Sequence, residues 1–120
     1  MRLWVLIRLV ALSSLVLLSA CEESPRVTVV RVSLKNTDLY EHPTVGGDEE
    51  GARIVTQANH FSRSEILHDA TTGFVATYIY QSTPGFVGSD RAEIEVMSGS
   101  DGASAPTRVT RIAFHFTVHN

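Results

Sequence analysis

Over most of its length the chain alternates apolar and polar residues at every second position, the period of strands with one buried face. The plainest stretch runs through Ala92, Ile94 and Val96, which are predicted to point inward while Arg91, Glu93 and Glu95 face solvent. Thr107 to Val118 repeats the pattern, with Ile112, Phe114, Phe116 and Val118 on one side and Arg111, Ala113, His115, Thr117 and His119 on the other. These two segments are expected to pair as a hairpin. Val27 to Leu34 is rich in β-branched residues and sets Val30, Val32 and Leu34 against Arg31 and Ser33. Ala52 to Ala58 places Ile54, Thr56 and Ala58 opposite Arg53, Val55 and Gln57. Phe74 to Tyr80 is apolar or aromatic on both parities, which predicts a central strand covered on both faces. From Phe61 to His68 the period decides between neither a strand nor a helical turn.

Breaks in the pattern mark the connections. Lys35-Asn36-Thr37-Asp38 and Asp69-Ala70-Thr71-Thr72-Gly73 read as turns, and Ser98 to Pro106 as a flexible loop. From Leu39 to Gly51, Tyr40, His42, Pro43, Gly46 and Gly47 interrupt any regular element, and Asp48-Glu49-Glu50 adds three adjacent charges. That segment is predicted to be a long surface loop, the place where a rigid scaffold tends to carry binding residues. Six or seven short strands separated by turn signals predict an all-β fold, an antiparallel β-sandwich of about seven strands.

The first residues follow a different rule. Arg2 and Arg8 precede the apolar run Leu9 to Leu18, and small residues follow it, which is the layout of a cleaved secretory signal peptide. The uncharged run is shorter than the roughly 20 residues of a bilayer span. Leu18-Ser19-Ala20-Cys21 resembles the lipobox of bacterial lipoproteins. That resemblance implies cleavage before Cys21, lipidation of its sulfur, and acylation of the new amino terminus. It divides the chain into a signal peptide (1–20), a lipidated cysteine with a polar tether (21–26) and one domain (27–120). The resemblance also implies a membrane anchor in the cell envelope. Glu22-Glu23 differs from the Asp associated with inner-membrane retention, so the outer membrane is the expected address.

Tyr80-Gln81-Ser82-Thr83-Pro84-Gly85-Phe86-Val87-Gly88-Ser89-Asp90 and the alternating strand after it resemble bacterial immunoglobulin-like and cadherin-like surface domains. Ser82 stands where that pattern usually has proline. The resemblance implies an immunoglobulin-like sandwich and leaves activity open. Each residue also has a local reason to be there. Pro84 and Gly85 suit a turn, Asp90 can accept hydrogen bonds from nearby backbone N–H groups, and Phe86 is expected to cap one end of the core.

Composition narrows the chemistry. The chain has 120 residues and a single cysteine. If Cys21 carries lipid, the remaining 100 residues must fold without a disulfide, which one domain of that size can do. Loss of Arg2 and Arg8 takes the ten basic residues to eight, against 13 acidic ones, a net charge of −5. A domain of that sign is a poor nucleic-acid binder, and no nucleic-acid partner is expected.

No Gly-x-Ser-x-Gly elbow is present, and no catalytic residue is assigned. Gly46-Gly47-Asp48-Glu49-Glu50 is similar to the Gly-Gly-Asp-Glu-Phe signature of diguanylate cyclases, but Glu50 replaces the Phe and an exported segment would not meet cytosolic nucleotide. Among the histidines, His115 and His119 share a strand face about 13 Å apart, too far for one ion, so no transition-metal site is assigned, and no cofactor is expected. The ligand-binding candidates are Tyr40, Asp48, Glu49 and Glu50, for carbohydrate or for Ca²⁺, which takes oxygen ligands. The expected function is a lipid-anchored, non-enzymatic structural or protein-interaction module with an envelope protein as partner.

Overall fold

The structure, a computed structural model, describes residues 24–44, 51–99 and 108–120. Among these the chain forms β1 (Arg26–Lys35), β2 (Tyr40–Pro43), β3 (Gly51–Thr56), β4 (Phe61–Leu67), β5 (Thr77–Ser82), β6 (Gly88–Ser98) and β7 (Arg108–His119). One turn of 3-10 helix, Ala70–Thr72, precedes β5, and no α-helix occurs among the described residues. The strands make two sheets, ordered β1-β7-β6-β3 and β2-β5-β4.

Alternation decides what lies between the sheets. Phe114 and Phe116 of β7, Ala92, Ile94 and Val96 of β6, and Tyr78 and Tyr80 of β5 are all buried. Tyr78 stacks on Phe114 at 4.8 Å and Tyr80 on Phe116 at 3.9 Å, so the two sheets meet through paired aromatic rings. Each large ring removes a large apolar area from water, which suits a core this small. The domain is all-β, two sheets face to face, with its core where β5 crosses β6 and β7.

The β6–β7 hairpin forms in continuous register from Gly88 opposite Val118 to Ser98 opposite Arg108. The stretch left undecided from Phe61 onward is β4, whose Ser64 faces inward and hydrogen-bonds the Tyr78 hydroxyl at 2.8 Å. The sandwich is not wholly antiparallel, because β1 runs parallel to β7 over its entire length. Parallel pairing is possible there because the whole domain separates the two strands in the chain, so no tight turn has to join them.

The loop expected from Leu39 to Gly51 is shorter than predicted. Tyr40–Pro43 pairs with β5, and Gly51 already belongs to β3. Thr44 closes the first stem, its amide and hydroxyl both donating to the Ala76 carbonyl at 2.9 and 2.7 Å. Glu95, predicted to face solvent, is 6% exposed. It points to the outer face of its sheet, but the guanidinium groups of Arg53 and Arg111 close over it at 3.0 and 3.5 Å. The expected central strand starts later than predicted, at Thr77, since Gly73 and Phe74 both take left-handed backbone angles.

The corner between β5 and β6 is held as its residues suggest. Phe86 N–H donates to the Thr83 carbonyl at 3.0 Å across Pro84-Gly85, and Gly85 has φ 78°, the arrangement of a type II turn. Gly88 at φ 144° lets the Phe86 ring approach, where a Cβ would lie 3.3 Å from it. Phe86 stacks on His60 at 4.3 Å and packs against the core. Asp90, 3% exposed, is the hub. One carboxylate oxygen accepts from the amides of Asn59 and Arg91, and the other from the His60 amide and the Tyr80 hydroxyl, each at 2.9 Å. One side chain thereby ties the β3–β4 connection to β5 and β6.

Candidate functional site

Cys21, Asp48, Glu49 and Glu50 lie outside the described residues, as does the segment 1–20 expected to be a signal peptide. Tyr40, the remaining candidate, sits on β2 with its ring turned into the sandwich. Its ring contacts Phe116 at 5.6 Å and Phe114 at 6.0 Å, both edge-on. Its hydroxyl meets His42 Nδ1 at 3.0 Å. Burial raises the Tyr40 pKa and lowers that of His42, so both are neutral near pH 7. Tyr40 is therefore part of the packing along the edge of the smaller sheet, half-buried against the core.

Topology gathers the stems of three connections at one end of the sandwich. β2 ends there at Pro43, β3 begins at Gly51, β4 ends at Leu67, β5 begins at Thr77, β6 ends at Ser98 and β7 begins at Arg108. Arg26, where β1 begins, belongs to the same end, since it pairs with Thr110. The opposite end carries the β1–β2, β3–β4 and β5–β6 connections and the carboxyl terminus.

The outer face of the larger sheet divides by charge. Toward the Arg26 end, Arg53, Glu95, Arg111 and Glu93 form ion pairs of 3.0 to 3.5 Å and cancel one another. Toward the other end, pairing sets Arg31, His115 and Arg91 in one row across β1, β7 and β6. Ser33, Thr117 and Ser89 form the next row, and Lys35 with His119 the one after. Arg31 Nη1 lies 3.5 Å from His115 Nδ1. Desolvation lowers the His115 pKa, and the charges of Arg91 and Arg31 lower it further. This half of the face is cationic on a chain whose net charge is −3. Each strand shows these residues only as an ordinary polar face, and pairing alone brings them together.

Among the described residues, no group of three His, Cys, Asp or Glu side chains converges to hold a metal ion. No helix among them is long and apolar enough to cross a membrane.

No family model matches the chain, and no curated protein matches it. Among solved structures it is similar to an endo-fucoidan hydrolase from glycoside hydrolase family 107, with 13% identity and a TM-score of 0.47. That match covers 76% of this chain, which spans 12% of the hydrolase. It is also similar to a cysteine protease inhibitor from Entamoeba histolytica, with 15% identity, a TM-score of 0.40, and coverage of 80% of this chain and 98% of the inhibitor.

Proposed function

We propose that the chain is a lipid-anchored, non-enzymatic module of the bacterial cell envelope, an immunoglobulin-like domain that holds or contacts another protein. The observation that carries this reading is Leu18-Ser19-Ala20-Cys21, placed directly after an apolar leader and ahead of a domain with no other cysteine. Two or more acyl chains at Cys21 make an anchor that does not readily leave a membrane, since each buried CH₂ contributes about 0.8 kcal/mol. Only Glu22 to Pro25 separate Cys21 from β1, so the extended tether reaches no more than about 20 Å. The domain then stands close to the bilayer on its Arg26 end, with the β5–β6 corner and carboxyl terminus farthest away.

The strand partition supports the immunoglobulin-like part of the reading. Lettering β2 to β7 as B to G gives sheets of B, E, D and C, F, G, the division of an immunoglobulin sandwich, with β1 joined to the second sheet beside G. Metabolic labelling with an alkynyl palmitate tests the anchor. Label on the wild type, and its loss together with membrane association in Cys21→Ser, is the expected result. Absence of label, with unchanged fractionation of the variant, would overturn the reading.

A further inference from the structure

We propose that the free edge of β1 receives an extended acidic segment of a partner protein, added as a fifth strand to the larger sheet. The inference rests on the reading of the chain as a protein-interaction module, and it is independent of the lipid anchor.

Four strands end a sheet, and three of them are unsuited to pairing. β2 has four residues, β3 carries an irregularity between Ile54 and Thr56, and β4 carries one between Phe61 and Arg63. Gln57 Nε2 also donates to the Ser64 carbonyl at 3.2 Å, bridging the β3 and β4 side of the sandwich. Short or bulged edges resist added strands. β1 differs from all three, with ten residues in unbroken register against β7.

Its outward hydrogen-bonding groups can be identified. The Asn36 amide donates to the His119 carbonyl at 2.8 Å, on the β7 side, whereas the Lys35 amide turns away to Asp38 at 2.9 Å. Backbone groups alternate in direction along a strand, so the N–H and C=O groups of Ser33, Arg31, Val29 and Val27 face away from β7. No described strand lies on that side. Val27 and Val29 are 50% and 49% exposed and offer apolar cover to an incoming strand.

Charge selects the occupant. β1 carries Arg26, Arg31 and Lys35 and no carboxylate, and across the sheet face Arg31 neighbours His115 and Arg91. A second copy of β1 fits badly. Full antiparallel overlap sets Arg26 opposite Lys35, and a shift of one residue sets Arg31 opposite itself. Like charges directly opposite are unfavourable, whereas opposite charges across a strand pair are favourable. An extended segment with alternating carboxylates meets the edge through its backbone and the cations through its side chains, the strand-addition mode of recognition.

The test uses the full-length chain purified in detergent, and a fluorescent capped decapeptide of alternating threonine and glutamate. Its counterpart carries lysine in place of glutamate. Binding of the acidic peptide alone is expected, weakening with added salt. Val29→Pro removes an edge-facing donor without touching the β7 ladder, and Arg31→Glu reverses the central charge. Each should weaken binding by about tenfold or more. Amide exchange at Val29, Arg31 and Ser33 should slow in the wild-type complex, a readout independent of how the proline variant folds.

Equal binding of both peptides, no binding, or unchanged amide exchange would overturn the edge assignment. So would loss of binding in Arg91→Glu with retention in a folded Val29→Pro, which would put the peptide on the sheet face. If crosslinking in the envelope still captures a specific protein when the peptide assay fails, the edge assignment falls alone. If it captures none, the interaction-module reading falls with it.

Discussion

Replacing Asp90 with alanine probes the joint on which the far end of the sandwich depends. The change removes the acceptor of four hydrogen bonds at once, from the amides of Asn59, His60 and Arg91 and the hydroxyl of Tyr80. These do not weigh equally. Asn59, His60 and Arg91 are exposed residues whose freed amides can turn to water, so each loses about 0.5–1 kcal/mol. Tyr80 is 0% exposed, and its hydroxyl would keep only the long contact to the His60 carbonyl at 3.5 Å, a loss of about 1–2 kcal/mol.

The expected destabilisation is about 2.5–5 kcal/mol, and Tyr80→Phe alone should cost about 1–2 kcal/mol. Urea unfolding followed by circular dichroism reads both, with the slope unchanged and the midpoint lowered. For a domain near 100 residues the Asp90→Ala loss corresponds to a fall in Tm of roughly 10–25 °C. In the double variant the two losses should overlap by about 1 kcal/mol or more, because they share one contact. An Asp90→Ala protein within about 0.5 kcal/mol of wild type, or strict additivity with Tyr80→Phe, would refute the hub.

Phe114→Ala removes a fully buried ring stacked on Tyr78 and should cost about 3–5 kcal/mol, measured by the same unfolding assay. Gly85→Ala meets no neighbour but must adopt φ 78°, and a loss near 1 kcal/mol is expected from backbone strain alone. Burial pushes the Tyr78 hydroxyl up to about 12 from 10.0, so its contribution is intact below pH 10 and is lost as pH climbs toward 12. Tyrosinate absorbance and unfolding should therefore rise together in alkali. His42 and His115 are both held below their ordinary value of 6.5, so protonation opposes the fold and stability should decline as pH falls beneath 6.5. In an NMR titration, Arg91→Ala should raise the His115 pKa by removing a neighbouring charge.

Much of the fold could be read in one dimension, because the period of two assigns each residue of a strand to a face without knowledge of its neighbours. The β6 and β7 alternations placed Ile94, Phe114, Phe116 and Val118 in the core, and their closeness in the chain made their pairing legible too. Asp90 was readable as an acceptor of backbone amides from its place in the turn.

What alternation cannot supply is the identity of the strand alongside. That is why Tyr40 looked like loop when β5 made it strand, and why Glu95 looked solvated when Arg53 and Arg111, 42 and 16 residues away in the chain, covered it. The cationic row of Arg31, His115 and Arg91 had no local signature for the same reason. The apolar run Leu9 to Leu18 and the position of Cys21 after it are a matter of residue order, which needs no partner segment to be read. Which edge stays open, and which charges share a face, depends on contacts between distant segments, and only the tertiary structure decides them.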